Sequence, residues 1–379
     1  MRIRSTAAAL AVSISLAGCG NNVYTPPVTP VTPTIPVPGS VTGTQGGNYV
    51  ISVFAKVAGT LKPDDIVQLG TSIFVVCQDP NVNPDGTYPP GVTSSLAEVI
   101  EYSETGSILQ TFHVPGHPDG IAVYNSNTIW VSSNEDANPV ITVINTITNT
   151  LQSYTSDVAT LPNGGGLDDM KVINGVVYAS ASNPTTTFSP SPNLAPYSTD
   201  ASGATTLYGV NVGPVLYTVA LNSDGVTFHP NPVLMSSIPA TSIIGNTPVT
   251  LNMTDTDSSM IDPAGDLVLD SQQDSELVFI KNVASASPVV SVLNVTLYGN
   301  PWPLDDTRWS PASGASFMLV SDTPTQLIYR IDALGGSFTP STAYSAGQGT
   351  VLQTNTTTGV MTPIYVGMNN PHGLIFVTE

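Results

Sequence analysis

The sequence predicts an all-β fold assembled from a repeated unit, and three observations lead there. Gly (32) and Pro (33) are frequent among the 379 residues, charged residues make up only 9%, and Thr, Ser, Val and Asn dominate the remainder. β-Branched side chains suit a pleated surface, while Gly, Pro and Asn suit tight turns. Beyond the N-terminal segment no window carries sustained apolar spacing at three and four residues, so long helices are not expected. One module also recurs. It opens on the polar turn Gly116-His117-Pro118-Asp119-Gly120-Ile121, continues through a second strand Thr128-Ile129-Trp130-Val131 ending in Ser132-Ser133-Asn134, crosses an acidic loop, and enters a third strand Val140-Ile141-Thr142-Val143-Ile144.

The opening turn returns at Pro63-Asp64-Asp65-Ile66, Leu167-Asp168-Asp169-Met170, Asp257-Ser258-Ser259-Met260, Leu304-Asp305-Asp306-Thr307 and Pro371-His372-Gly373-Leu374. Second strands are expected at 73–77, 128–132, 176–180, 267–270 and 317–320, and third strands at 97–102, 140–145, 215–221, 277–281 and 327–332. Candidate fourth strands lie at 108–113, 290–297 and 361–366. Four-stranded units that expose both faces until they stack radially on their neighbours, repeating every fifty or so residues, are the signature of a β-propeller. Six opening turns predict a single six-bladed propeller over 48–379. Splitting the long third unit, with its Ser/Pro/Thr-rich insertion at 183–206, would make seven. The fifth unit is expected to be stretched through 335–350. Too few residues follow Pro371 for a whole blade, so 48–56 is expected to join 374–377 and close the ring with both chain ends, leaving no free sheet edge. Counted this way, the closing blade comes out one or two strands short.

The residues before the propeller read as an export and anchoring segment. Arg2 and Arg4 precede a short apolar run over 6–16 that is too short to span a bilayer as a stable anchor. It ends in Leu16-Ala17-Gly18-Cys19, which resembles the lipobox of bacterial lipoproteins. That resemblance implies a signal peptide over 1–18 and a lipidated Cys19, palmitate among its acyl chains, anchoring the protein in the cell envelope. Gly20, rather than Asp, implies outer-membrane sorting in a Gram-negative host. Residues 19–47 form the tether, in which Pro26, Pro27, Pro30, Pro33, Pro36 and Pro38 favour extended polyproline II at about 3.1 Å per residue. With Cys19 lipidated, Cys77 has no partner, and its apolar run predicts a buried, inert thiol.

The formal charge is −19, from 27 acidic against 8 basic residues, and loss of Arg2 and Arg4 would leave 27 against 6. Such a surface repels phosphate backbones and excludes nucleic-acid binding. Divalent cations or cationic partners are the electrostatically sensible ligands.

Residues 128–134 with 140–146, and Leu319-Val320-Ser321-Asp322 with Leu327-Ile328-Tyr329-Arg330-Ile331-Asp332, resemble the blade pattern of YVTN-repeat propellers. The Pro-Asp-Gly-Ile and Pro-His-Gly-Leu turns are similar to those of NHL-repeat propellers. Both families host binding scaffolds and enzymes, so the resemblance implies a fold without an activity.

The opening turns carry the candidate chemistry. In a propeller the first strand of each blade lines the central channel, so Asp65, Asp119, Asp169, Asp257 and Asp306 are expected to converge at one end of the axis with His372. Such a ring offers several oxygen ligands to Ca²⁺ or Mg²⁺. His117 is expected to share the turn position of His372. A second acidic set, Asp79, Glu135, Asp136, Asp274, Glu276 and Asp322, is placed on the opposite side of each second strand from its opening turn, as a solvated rim. Trp302 and Trp309 bracket Asp305, Asp306 and Arg308, a crowding of aromatics and charge that would suit a ligand-binding cleft. No nucleophile elbow, phosphate loop or Cys/His pairing is present. These features predict a lipid-anchored, envelope-bound propeller acting as a binding or scaffolding module for a small ligand or an envelope protein. The alternative is a divalent-metal-dependent hydrolase: resemblance to the lactonase and gluconolactonase group of propellers implies an axial metal, although that group's Glu, Asn and Asp ligand set is not recognisable.

Overall fold

A computed structural model describes residues 44–45, 48–182, 186–187, 197–199, 205–207, 210–313, 315 and 317–378. The expected signal peptide over 1–18, Cys19, most of the expected tether over 19–47 and most of the 183–206 insertion lie outside the described residues. Among the described residues the only helical element is a three-residue 3-10 turn, Thr323–Thr325, and no helix is long and apolar enough to cross a membrane.

Antiparallel pairing builds four-stranded blades arranged as a propeller; parallel pairing of Thr150–Ser156 with Thr227–Met235 joins the outer edges of blades 2 and 3, and short outer strands extend blades 4 and 5. From the channel outward, blade 1 is Lys62–Leu69, Ser72–Gln78, Glu98–Ser103 and Ile108–His113. Blade 2 is Pro118–Asn125, Thr128–Ser133, Val140–Asn145 and Thr150–Ser156. Blade 3 is Met170–Ile173, Val176–Ser180, Pro214–Leu221 and Thr227–Met235. Blade 4 is Thr256–Ile261, Leu267–Ser271, Glu276–Lys281 and Val289–Asn294.

The last two blades are interleaved. Asp306–Trp309 is the innermost strand of blade 5, but the chain then leaves that blade. Phe317–Asp322 and Leu327–Ala333 are the middle strands of blade 6, paired to Pro371–Val377 on the channel side and to Tyr49–Lys56 outside. Blade 5 is completed afterwards by Ala343–Gly347, Thr350–Thr354 and Val360–Val366. The sequence-based assignment of 317–320 and 327–332 to the fifth unit is therefore corrected. Those strands supply what the closing blade lacked, and the stretch at 335–350, expected only to lengthen the fifth unit, contains the strand Ala343–Gly347. Both chain ends do enter the closing blade, as its outermost and innermost strands.

Alternation explains why these short runs form strands buried on both faces. In Ser72–Gln78, Phe74 and Val76 face blade 2, while Ile73, Val75 and Cys77 face blade 6. In Phe317–Asp322, Phe317 and Leu319 meet blade 1, whereas Met318 and Val320 meet blade 5. The buried apolar residues fall into clusters that each fill one junction between adjacent blades. At roughly 1.5–3 kcal/mol per fully buried large aliphatic side chain, the radial stacking of these wedges is the main source of stability. Cys77 is a buried free thiol whose pKa is pushed up by that burial, so the thiolate is disfavoured.

Candidate metal centre

The innermost strands bring two consecutive positions of every opening turn to the channel. The first position is Asp64, Asp119, Asp168, Asp257, Asp305 and His372 around the ring; the second is Asp65, Gly120, Asp169, Ser258, Asp306 and Gly373. The second position alternates between an acid on blades 1, 3 and 5 and a small residue on blades 2, 4 and 6. Close approach dictates the alternation. A Cβ on Gly120 would overlap the backbone of Asp168 and Asp169, and one on Gly373 the backbone of Asp64 and Asp65. Each second-position acid accepts a backbone N–H from the next blade: Ile121 to Asp65 at 3.3 Å, Ser259 to Asp169 at 2.9 Å, and Leu374 to Asp306 at 2.7 Å.

This inner tier carries its own counter-charges. Arg308 pairs with Asp306 and, at 3.4 Å, with Asp65, while Lys171 pairs with Asp169 at 2.6 Å. Although burial opposes it, Lys171 and Arg308 together hold the Asp169 carboxyl below its usual range. Burial pushes Asp306 up to about 6 despite Arg308. These acids serve the ring and its buried cations.

The outer tier is bridged along part of its circumference. His372 Nδ1 lies 3.0 Å from Asp64 and 3.2 Å from Asp305. Burial alone would lower its pKa, but Asp305 and Asp64 outweigh it and push it up to about 10. Gln78 donates to Asp64 and, at 3.4 Å, to Asp119. Gln272 donates to Asp305 at 2.8 Å and to Asp257 at 3.3 Å.

The remaining arc, Asp119–Asp168–Asp257, receives a further acid, Glu135. Carboxylate oxygens of Asp119, Glu135 and Asp257 lie within 4.8 Å of one another. Ca²⁺ takes oxygens at about 2.3–2.6 Å, so oxygens on either side of one ion stand at most about 5 Å apart, and this triad fits. Burial and then like charges push Asp119, Asp168 and Asp257 well above the usual carboxylate range. Asp168 is fully buried: its Oδ1 accepts the Ser182 hydroxyl at 3.3 Å, and its Oδ2 has no hydrogen-bond partner. Converging carboxylates need protons or a cation.

Glu135 was misplaced by sequence reasoning. An antiparallel hairpin returns the end of the second strand to the start of the first, and Pro118 pairs with Ser133, so the loop after Ser133 lies at the same end as the opening turn. The expectation of an opposite, solvated rim is corrected on that ground.

A cavity of about 360 Å³ opens beside the triad, lined among others by Lys62, Pro84, His117, Asn370 and His372. The His117 ring is buried and its Nδ1 has no hydrogen-bond partner; burial lowers its pKa against the pull of Asp64 and Asp79. His117 precedes Pro118, whereas His372 follows Pro371, so His372 shares its turn position with Asp119, not with His117.

Of the residues singled out from sequence, Asp119 and Asp257 are brought together with Glu135. His372 lies in the same tier as a counter-ion to Asp64 and Asp305. Asp65, Asp169 and Asp306 lie one residue further along their strands, with Arg308. Trp302 is buried between blades 4 and 5, where Trp309 packs against the same cluster and meets Phe279 edge-on at 6.2 Å. Neither indole lines the cavity. Lys171, Gln78 and Gln272 carried no sequence signal, because their roles depend on which neighbours the ring places beside them.

No protein-family model matches the chain, and no curated sequence is similar to it. Among solved structures, it is similar to the periplasmic gluconolactonase of Pseudomonas aeruginosa (14% identity, covering 85% of this chain and 90% of that one, TM-score 0.41). A protein of unknown function from Bacteroides caccae is similar at 10% identity, covering 89% and 98%, with a TM-score of 0.46. The virginiamycin B lyase of Staphylococcus aureus is similar at 12% identity, covering 75% and 99%, with a TM-score of 0.29.

Proposed function

We propose that this chain is a lipid-anchored propeller of the bacterial envelope that holds a divalent cation at its channel mouth on Asp119, Glu135 and Asp257. The cation gives the adjoining cavity an affinity for a small oxygen-bearing ligand. The observation that carries the reading is the mutual approach of those three carboxylates within 4.8 Å beside an open cavity. The partnerless Oδ2 of the fully buried Asp168 next to them supports it. Three carboxylates favour Ca²⁺ over Mg²⁺, which prefers one or two carboxylates and retained waters. Because further acids line the cavity, a neutral, hydroxyl- or carbonyl-bearing ligand suits it better than an anion.

His117 supports the second reading, a cation-dependent hydrolase. The His117 ring lines the same cavity, and an imidazole whose pKa burial lowers has the makings of a general base. Turnover of lactones or esters that disappears in His117→Gln while cation binding persists would select that reading. Absence of turnover from the cation-loaded protein would leave the binding module.

Calorimetric titration of chelator-treated protein with Ca²⁺ tests the common core. One site is expected, lost in Asp119→Asn/Asp257→Asn; no heat and no change in melting temperature with Ca²⁺ or Mg²⁺ would sink it. The anchor is tested separately. Cys19→Ala should move the protein from the membrane fraction to the soluble fraction, and retention on the membrane would overturn lipid anchoring through that residue.

A further inference from the structure

We infer that Asn134 is the positioning residue of this site, a clasp that sets Glu135 and His117 together; the inference rests on the cation reading above. Asn134 adopts a left-handed backbone (φ 72°) immediately before Glu135 and is 5% exposed. That conformation is uncommon outside glycine, and Asn is among the few side chains that tolerate it. It turns the chain sharply out of the second strand of blade 2, so that Glu135 enters the channel instead of continuing the ladder.

The side chain then ties the turn to its surroundings. Asn134 Oδ1 accepts the His117 N–H at 2.9 Å, and Asn134 N–H donates to the His117 carbonyl at 2.8 Å. Its Nδ2 donates to the Asn138 carbonyl at 2.9 Å, closing the loop that carries Glu135. Three glycines leave room for it: a Cβ on Gly86 or Gly116 would overlap the Asn134 side chain, and one on Gly166 its carbonyl. Gly166 N–H also donates to the Glu135 carbonyl at 2.6 Å, and Asp136 N–H donates to the Pro84 carbonyl at 3.2 Å. Segments from blades 1 and 2 and from the approach to blade 3 thus close on one amide. The backbone of Glu135 is fixed on both sides, and His117 is held to the same group. A cation site needs its ligands held to within a fraction of an ångström, and groups behind the ligands supply that restraint.

Calorimetric Ca²⁺ titration of Asn134→Gly tests this, since glycine keeps the left-handed backbone while removing both side-chain bonds. The dissociation constant is expected to rise about ten-fold or more, as for other groups that orient metal ligands. Trp130→Phe, a core change in the same blade, is the control for general loosening: it should lower the melting temperature in EDTA without altering the dissociation constant. Asn134→Gly binding within two-fold of wild type would overturn the clasp and leave the cation site standing. A wild-type protein that takes up no cation would overturn the site reading and the clasp with it. If Asn134→Gly does not fold, Asn134→Ser, too short to reach both partners, is read in the same way.

Discussion

The backbone N–H of Leu374 donates to Asp306 Oδ2 at 2.7 Å, tying the innermost strand of the closing blade to that of blade 5. The same bond joins Ile121 to Asp65 and Ser259 to Asp169, so every second junction of the ring carries an aspartate staple. Each staple acid also bears on Arg308 or Lys171, which makes ring closure and channel charge one problem with one solution.

Asp306→Asn keeps an acceptor for Leu374 but leaves Arg308 short of its nearest counter-charge. Removing one member of a buried pair typically costs about 3–5 kcal/mol, and a loss of that order is expected in urea unfolding followed by tryptophan fluorescence. A change of about 0.5 kcal/mol or less, the usual scale for surface substitutions, would show that Arg308 does not depend on this carboxylate.

The two tiers should separate in a cation titration. Asp65→Asn/Asp306→Asn is expected to lower stability while leaving the Ca²⁺ dissociation constant within about three-fold of wild type, under 1 kcal/mol by the affinity relation. Asp119→Asn/Asp257→Asn should abolish binding in the same assay. Loss of binding in the first pair would place the cation in the inner tier instead.

Gly120→Ala probes the alternation of large and small second-position residues. Its backbone needs no left-handed conformation, so the cost comes from a methyl driven into the Asp168–Asp169 backbone. Overpacking against backbone is expected to cost about 3 kcal/mol or to prevent folding. Gly225→Ala, in open space but at φ 74°, should cost only about 1 kcal/mol. Equal melting temperatures for the two variants would refute tight closure at blade 2.

His372 sets a pH dependence. Its folded pKa of about 10 lies above the unfolded value near 6.5, so the folded state binds the proton more tightly. The stabilisation is fully present below about 6.5 and is lost as the pH rises through about 10. Wild-type melting temperature measured in EDTA should fall across that window, and His372→Gln should flatten the fall. A parallel decline in both proteins would assign the effect to other groups.

Much of this was legible from residue order alone. Strand runs such as Ile73-Phe74-Val75-Val76-Cys77 announce themselves because a strand buried on both faces must be apolar at consecutive positions. The acids of the opening turns are equally local, since the residue before a channel-lining strand lies at the channel mouth whichever blade it belongs to. Chemistry set by a residue's own strand was therefore readable. Glu135 was within reach of the same logic, because hairpin geometry alone returns it to the mouth.

What the ring alone decided is which strands and which acids meet. Phe317–Asp322 follows Asp306–Trp309 in the chain yet pairs with Pro371–Val377, because a strand buried on both faces is apolar to either neighbour and carries no label for its partner. Only closure of the whole propeller selects one pairing. In the same way, nothing near Asp169 in sequence marks it as the staple for Ser259, or Asp119 as the neighbour of Asp257 across Asp168. Electrostatic roles follow distance in space, and the distances across the channel exist only once the blades have stacked around it.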